Sequence, residues 1–206
     1  MSRTKVIKVC RDFPEWNAIR FARSVLLSGG LICFPTDTTY GVAAIIYSHS
    51  AIEKLRRIKR RAQKKPFLIL ASDMGMVGEL VEGINRTQKR LIDLYWPGPL
   101  TIVFSASRRL PSYLRSPWGT VAVRVPKDAL SQAIIRACGM PLVAPSANLK
   151  GERPALSFEE AFEIFDGLVD LILDGGTLES SLPSTIVDAR SGIVRVLRKG
   201  RLALAT

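Results

Sequence analysis

Apolar residues along this chain fall into short runs separated by stretches in which they recur at helical spacing, so buried strands and amphipathic helices alternate. Residues 4–10 read as a first strand. Trp16, Ile19, Ala22, Val25 and Leu26 then repeat at helical spacing, and Gly29-Gly30 supplies a stop. Residues 31–34 predict a buried strand halted by Pro35, and residues 40–46 resume extended structure. Ser50-x-x-Glu53 is a capping-box signal for a helix reaching about Arg61. Residues 67–71 form the next strand, followed by helices over 74–81 and 86–95; Trp96-Pro97-Gly98-Pro99 breaks the second. Strands over 100–104 and 120–125, a helix over 128–138 closed by Gly139, and an extended 141–144 come next. Ser157-x-x-Glu160 caps a helix to Phe165, and strands over 169–173, 184–188 and 193–198 finish the pattern, the last two as a hairpin around 190–192.

Pairs such as 31–34 and 40–46 are joined too closely for a parallel crossover. The expected fold is therefore α/β, a mixed, twisted sheet flanked by helices. With no internal repeat, low-complexity stretch or linker, residues 1–206 are expected to form a single domain.

Composition narrows the function classes. Of the 206 residues 47% are apolar and 23% charged, the balance of a soluble globular protein. No apolar run approaches the roughly 18 residues of a membrane span, and the first residues lack a signal-peptide core. A cytoplasmic protein with no membrane partner is expected. Cys10, Cys33 and Cys138 are widely spaced in apolar contexts and read as space-filling thiols. The single histidine, His49, sits in a turn-like Tyr-Ser-His-Ser; it leaves little for a zinc site or histidine acid–base chemistry. A net charge of +12 favours anionic partners. The densest excess is residues 56–65, where seven of ten are cationic. Lys59, Arg61 and Lys65 are expected to face a ligand, and Arg56, Arg57, Arg60 and Lys64 to point outward, because a helix ends there and Pro66 forces an extended exit.

No P-loop and no G-x-G-x-x-G occurs, so any nucleotide must be held by scattered side chains. At 120–125, period two puts Val121, Val123 and Val125 on one face and Thr120, Ala122 and Arg124 on the other. A guanidinium there suits a carboxylate or phosphate; the plainer alternative is an exposed edge arginine. Ser146 and Asn148 follow an apolar strand, and Ser184 opens another. Each alone is an ordinary turn or strand-start residue. Together, hydroxyls, an amide and fixed cations at strand ends point to a small-molecule enzyme working on anions.

In their order, these segments resemble the YrdC-like family of threonylcarbamoyl-adenylate synthases. The matching stretches are Pro-Thr-Asp-Thr-Thr-Tyr-Gly at 35–41, Ile-Lys-Arg-Arg and Lys-Lys-Pro-Phe within 58–67, and Trp-Pro-Gly-Pro-Leu-Thr at 96–101. They continue with Thr-Val-Ala-Val-Arg-Val-Pro at 120–126, Ala-Pro-Ser-Ala-Asn at 144–148 and Pro-Ser-Thr-Ile-Val-Asp at 183–188. The resemblance covers about residues 15–200. It implies a twisted α/β sheet with a basic concave cavity. The implied reaction takes L-threonine, bicarbonate and ATP with Mg²⁺, without a protein-bound metal, to threonylcarbamoyl-AMP and pyrophosphate. The product would feed a downstream transferase that modifies tRNA, to which the chain itself would bind weakly.

By motif, Lys59 and Arg61 would be catalytic. Arg61, Lys65, Thr120, Ser146, Asn148 and Arg198 would hold the nucleotide. Thr38, Tyr40, Arg124, the backbone of Ala144, and Ser184 would hold threonine. The chain departs from the family pattern at Arg60, usually glycine, at Ala62, often proline, and at Lys150, usually serine. The rival reading is a non-catalytic RNA-binding or ribosome-maturation module, against which the lack of an aromatic stacking motif weighs. A carbamoyl-adenylate step in hydrogenase maturation is a second rival, but the cysteine-rich zinc modules of such chains are missing from this sequence.

Overall fold

The computed structural model describes residues 3–62, 65–179 and 182–204. In chain order its first half contains β1 (Lys5–Lys8), α1 (Trp16–Leu27), β2 (Ile32–Pro35), β3 (Tyr40–Ile45), α2 (His49–Ile58), β4 (Leu68–Leu70), α3 (Met74–Leu80) and α4 (Arg86–Tyr95). The second half contains β5 (Leu100–Ser105), a short 3-10 turn at Ser112–Leu114, β6 (Thr120–Arg124), α5 (Ala129–Cys138), β7 (Leu142–Val143), α6 (Phe158–Phe165), β8 (Leu171–Asp174), β9 (Thr185–Asp188) and β10 (Arg195–Arg198).

The strands make one mixed sheet in the order β1-β8-β2-β3-β7-β4-β6-β5-β9-β10. The closely connected pairs β2–β3 and β9–β10 are antiparallel, whereas β1–β8, β4–β6 and β5–β9, whose connections contain helices, are parallel. β2 is buried on both faces. Ile32 and Phe34 pack with α1 and α5 through Ile19, Leu26, Leu130 and Ile134. Leu31 and Cys33 join the opposite layer with Ile52 and Leu55 of α2, Val77 of α3, Leu91 of α4 and Phe165 of α6. Beyond β7, the α1/α5 face of the sheet opens into a cavity, although Leu70 of β4 still packs in that layer. Leu68 and Leu70 of β4, Ala122 and Arg124 of β6, Thr101 of β5 and Ile186 of β9 line that cavity.

Most helix ends follow the sequence signals. Asp128 accepts from the Ser131 N–H at the start of α5, and Gly139, at φ 68°, closes it. Ser157 caps α6 through the Glu160 N–H, and Asn85 and Gln88 form a reciprocal capping box on α4. The expected Ser50 cap is a correction. Ser48 is the residue with extended backbone, and its Oγ accepts from the Ala51 N–H, so α2 begins at His49. Glu53 pairs with Arg56 instead of the cap. α2 also ends at Ile58, short of Arg61. Cys33 and Cys138 are buried as expected, but Cys10 is exposed, because the chain leaves the sheet after Lys8. Among the described residues no helix is long and apolar enough to cross a membrane.

Candidate active site

The cavity over the open sheet face has a volume of about 180 Å³. Arg124 is its most deeply buried charged member, at 2% exposure. Alternation along β6 sends Val121 and Val123 into the helical layer and Ala122 and Arg124 to the cavity. Nε of Arg124 donates to the Gly98 carbonyl at 3.0 Å, one terminal nitrogen donates to Thr38 Oγ1 at 2.9 Å, and the other pairs with the Asp37 carboxylate. The edge-arginine alternative is thus excluded. A guanidinium carries five N–H donors, so two remain beyond these three bonds.

Asp37 is braced in turn. Its N–H donates to Asp128 Oδ2 at 3.1 Å, and Arg201 donates to its carbonyl. Burial, and then the negative charge of Asp37, push the Asp128 carboxyl up to about 6. Opposite, Thr101 Oγ1 and Ser184 Oγ lie 2.8 Å apart, and the Arg198 guanidinium donates to the Ser184 carbonyl at 2.8 and 3.1 Å.

A second cavity of about 310 Å³ adjoins the first and shares Arg61, Pro145, Ser146 and Arg198 with it. Its lining carries Lys59, Arg60, Arg61, Lys65, Lys150 and Arg198, with Asn148 and the backbone of 149–151. The end of α2 aims this charge. The Arg61 N–H bonds the Arg56 carbonyl and the Arg60 N–H bonds the Arg57 carbonyl, with Arg60 at φ 45°. That is a Schellman motif with arginine in the left-handed position that glycine usually takes. It folds Arg61 back, so that Arg61 and Arg56 both lie about 5 Å from the Phe67 ring centre (5.0 and 5.1 Å). Arg61 also donates to the Pro66 and Lys65 carbonyls at 2.6 and 3.2 Å. Burial, then Arg56, lower its pKa from the usual arginine value.

The first cavity gathers Thr38, Tyr40, Arg61, Arg124, Ala144, Ser146, Ser184 and Arg198. The second gathers Lys59, Arg61, Lys65, Ser146, Asn148 and Arg198. Tyr40 contributes no free hydroxyl, since its OH donates to the Gly176 carbonyl at 2.7 Å and accepts from the Gly175 N–H. Thr120 lines neither cavity. It starts β6 at the end opposite Arg124, and its Oγ1 is 2.7 Å from Ser116 Oγ.

The outward placement of Arg56 is also corrected: it is 5% exposed and donates to the carbonyls of Ala62, Lys65 and Tyr113. Arg57 is exposed, as expected; Arg60 is exposed too, but it lines the second cavity and does not point away from it, because the left-handed turn carries it there. Lys64 lies outside the described residues. Asp37 and Thr101 belong to motifs visible in the sequence but carried no expected role. The signal was their place beside Thr38 and at the head of an apolar strand. Among the described residues, no three His, Cys, Asp or Glu side chains gather to hold a metal ion.

Known proteins share this fold. The Sua5/YciO/YrdC family model, described as "Telomere recombination", matches residues 24–200. The threonylcarbamoyl-AMP synthase of Pyrococcus abyssi is 32% identical over 201 residues, 98% of this chain and 59% of that protein. The chain thus spans somewhat more than half of that relative's length. The threonylcarbamoyl-AMP synthase of Methylobacillus flagellatus is 37% identical over 175 residues, 85% of this chain and 97% of that protein. Among solved structures, P. abyssi Sua5 complexed with L-threonine superposes with a TM-score of 0.90 at 31% identity, covering 96% of this chain and 58% of that one. Escherichia coli YciO gives the same TM-score at 26% identity, covering 96% of each chain. The twisted α/β sheet, the ordered motifs and these matches together establish that the chain belongs to the Sua5/YciO/YrdC family.

Proposed function

We propose that this chain, acting as one synthase domain, makes threonylcarbamoyl-AMP and pyrophosphate from L-threonine, bicarbonate and ATP. The observation that carries the reading is the junction of the two cavities at Arg61, Ser146 and Arg198. A pocket of hydroxyls around one buried arginine opens there into a vestibule rich in fixed cations. The first matches an amino acid with a carboxylate, an amine and a hydroxyl; the second matches a triphosphate. The relative crystallised with L-threonine has the same fold and supports this assignment.

In this reading, the two donors left on Arg124 take the threonine carboxylate, and Thr38, Thr101 and Ser184 offer hydroxyls to its polar groups. The neutral threonine amine adds to the carbon dioxide in equilibrium with bicarbonate and loses a proton to solvent, giving a carbamate; written from bicarbonate, the same step releases water. A carbamate oxygen attacks the α-phosphorus of ATP, the bond to the β-phosphate oxygen breaks, and pyrophosphate leaves. The chain's task is alignment and charge compensation: Arg61, Lys65 and Arg198 offset the repulsion between two anions brought together. Mg²⁺ enters on the phosphates as part of the substrate. The adenylate then passes in the cytoplasm to a transferase that modifies tRNA.

The test is incubation with ATP, labelled bicarbonate and threonine, with separation of products. Label in a threonylcarbamoyl-AMP peak and threonine-dependent pyrophosphate are expected. Pyrophosphate released equally without threonine, or none with Mg²⁺ present, defeats the reading.

A further inference from the structure

Lys59 closes α2 and is only 7% exposed, although it lines the cationic vestibule. An ammonium has three N–H donors and no acceptor. Lys59 Nζ is within donating distance of three oxygens of one loop: the Ser146 carbonyl at 2.6 Å, Asn148 Oδ1 at 2.9 Å and the Asn148 carbonyl. No donor is left for a phosphate. Arg61 and Lys65 differ: the Arg61 guanidinium bonds the neighbouring Lys65 and Pro66 carbonyls and lies over the Phe67 ring, and Lys65 is exposed at the vestibule wall.

The loop that Lys59 grips carries a residue common to both cavities. Ser146 Oγ donates to Asn148 Oδ1 at 2.8 Å, the atom that also accepts from Lys59. That fixes the hydroxyl hydrogen inside the loop and leaves only the oxygen's acceptor side toward the junction, where it can meet a donor such as an amine and not a phosphate oxygen. The Asn148 amide nitrogen donates to the Leu149 and Glu152 carbonyls at 2.8 and 3.0 Å, which sets which way the amide faces. The loop is otherwise anchored by two short backbone bonds, Ala147 N–H to the Tyr40 carbonyl and Ala155 N–H to the Ala147 carbonyl, both 2.7 Å.

We propose that Lys59 is a positioning residue: it ties the 146–148 loop to the end of α2, orients Asn148 and through it Ser146, and does not itself bind the triphosphate. This rests on the synthase reading for what Ser146 is positioned to do, but the tie itself is independent of it. Arg61, Cys33 and Glu152 are the titratable groups facing Lys59; the Cys33 thiol is held neutral by burial. Burial first, then the Arg61 charge, lower the Lys59 pKa to about 8. The ammonium is therefore present at neutral pH and is lost as pH rises through about 8.

Lys59→Met, Asn148→Ala, the double variant and Lys59→Arg separate the alternatives. If Lys59 acts through the loop, Lys59→Met lowers kcat by about 100-fold and changes the ATP dissociation constant by less than about threefold. The double variant is then no worse than the poorer single one, because both break the same chain of contacts. The wild-type rate falls as pH rises past about 8, while Lys59→Arg keeps measurable activity and loses that fall. A Lys59→Met enzyme whose ATP affinity drops more than about tenfold, or effects that multiply in the double variant, overturn the assignment. Should Lys59→Met fail to fold, the Lys59→Arg pH profile decides, and a profile identical to wild type counts against the tie. Wild-type protein that releases no pyrophosphate overturns the synthase reading alone. The Ser146–Asn148 amide resonances, followed with pH, then judge the tie, and no change between wild type and Lys59→Arg rejects it.

Discussion

The two joined cavities are built in opposite ways. The sheet-floor cavity rests on strands: Leu68 and Leu70, Ala122 and Arg124 stand on neighbouring strands in fixed register, and the charged group on that floor, Arg124, is buried and already paired. The vestibule is made mainly from the end of one helix and a loop, with Arg198 at the end of β10, and most of its cations are exposed side chains in excess of any carboxylate partner. A site on paired strands holds donors in one geometry before a ligand arrives, which suits a small molecule that must be recognised atom by atom. A site on chain ends supplies field and reach, which suits a polyphosphate. Changes in the vestibule should therefore act mostly on rate and nucleotide, and changes in the floor on the amino acid.

The largest separation is expected at Arg61. With Arg198 it is one of two cations shared by both cavities, and it is the one held by the backbone turn, so Arg61→Ala should cut adenylate formation by about 10³-fold or more at any salt concentration. Arg57 is one turn earlier, exposed, and bonded only weakly to the Glu53 carbonyl at 3.4 Å. Arg57→Ala should leave synthesis within about twofold of wild type and lower only salt-sensitive binding of nucleic acid. Steady-state assays of both proteins across salt decide it, and comparable losses in the two would remove the distinction. Arg56 is unsuitable as the solvent-facing control, since its truncation would strand the carbonyls it now bridges.

The floor should respond to Arg124→Ala. Threonine affinity is expected to fall about 100-fold or more and ATP affinity by much less, since in the proposed reading the two remaining donors of Arg124 take the threonine carboxylate. The same change leaves Asp37 half-buried without its counter-charge, so unfolding should also become easier by about 3 kcal/mol. Arg124→Ala with Asp37→Asn should recover part of that stability and none of the threonine binding. Paired calorimetric titrations and thermal melts measure both; equal loss of the two ligands, or recovered threonine binding in the double variant, would break the contrast.

How much of this was legible depended on whether a residue's role is set locally. The strand at 120–125 was readable because period two leaves Arg124 no other side, and the hairpin at 185–198 because Arg190-Ser191-Gly192 is a turn whatever surrounds it. The fate of Arg56 was not readable. At 5% exposure it bonds the Tyr113 carbonyl, which lies 57 residues away and has no signature in the cationic run itself. The pairing of Asp37 with Arg124 is hidden in the same way, by 87 residues of sequence. Thr120 shows the reverse limit: it shares a face with Ala122 and Arg124, but the lining of the cavity ends at Ala122, two residues short of it.

The smallest effect expected is also the most specific to this chain. Arg60 occupies the left-handed position of the Schellman turn, at φ 45°, the one positive-φ residue other than glycine among those described. That conformation costs an L-residue with a Cβ about 1–2 kcal/mol, and a glycine there gives back part of the gain through the wider freedom of its unfolded chain, about 0.4–1 kcal/mol. The conformational relief wins narrowly. Arg60→Gly should be more stable than wild type by about 0.5–1 kcal/mol, a rise of roughly 2–3 °C in Tm for a protein of this size. Arg60→Ala removes the same charge and keeps the Cβ, so it should show no such rise. Any loss of ATP affinity common to both variants then measures the charge, and any stability difference between them measures the backbone. Thermal melts in which glycine and alanine behave alike would show that the turn stores no strain at Arg60.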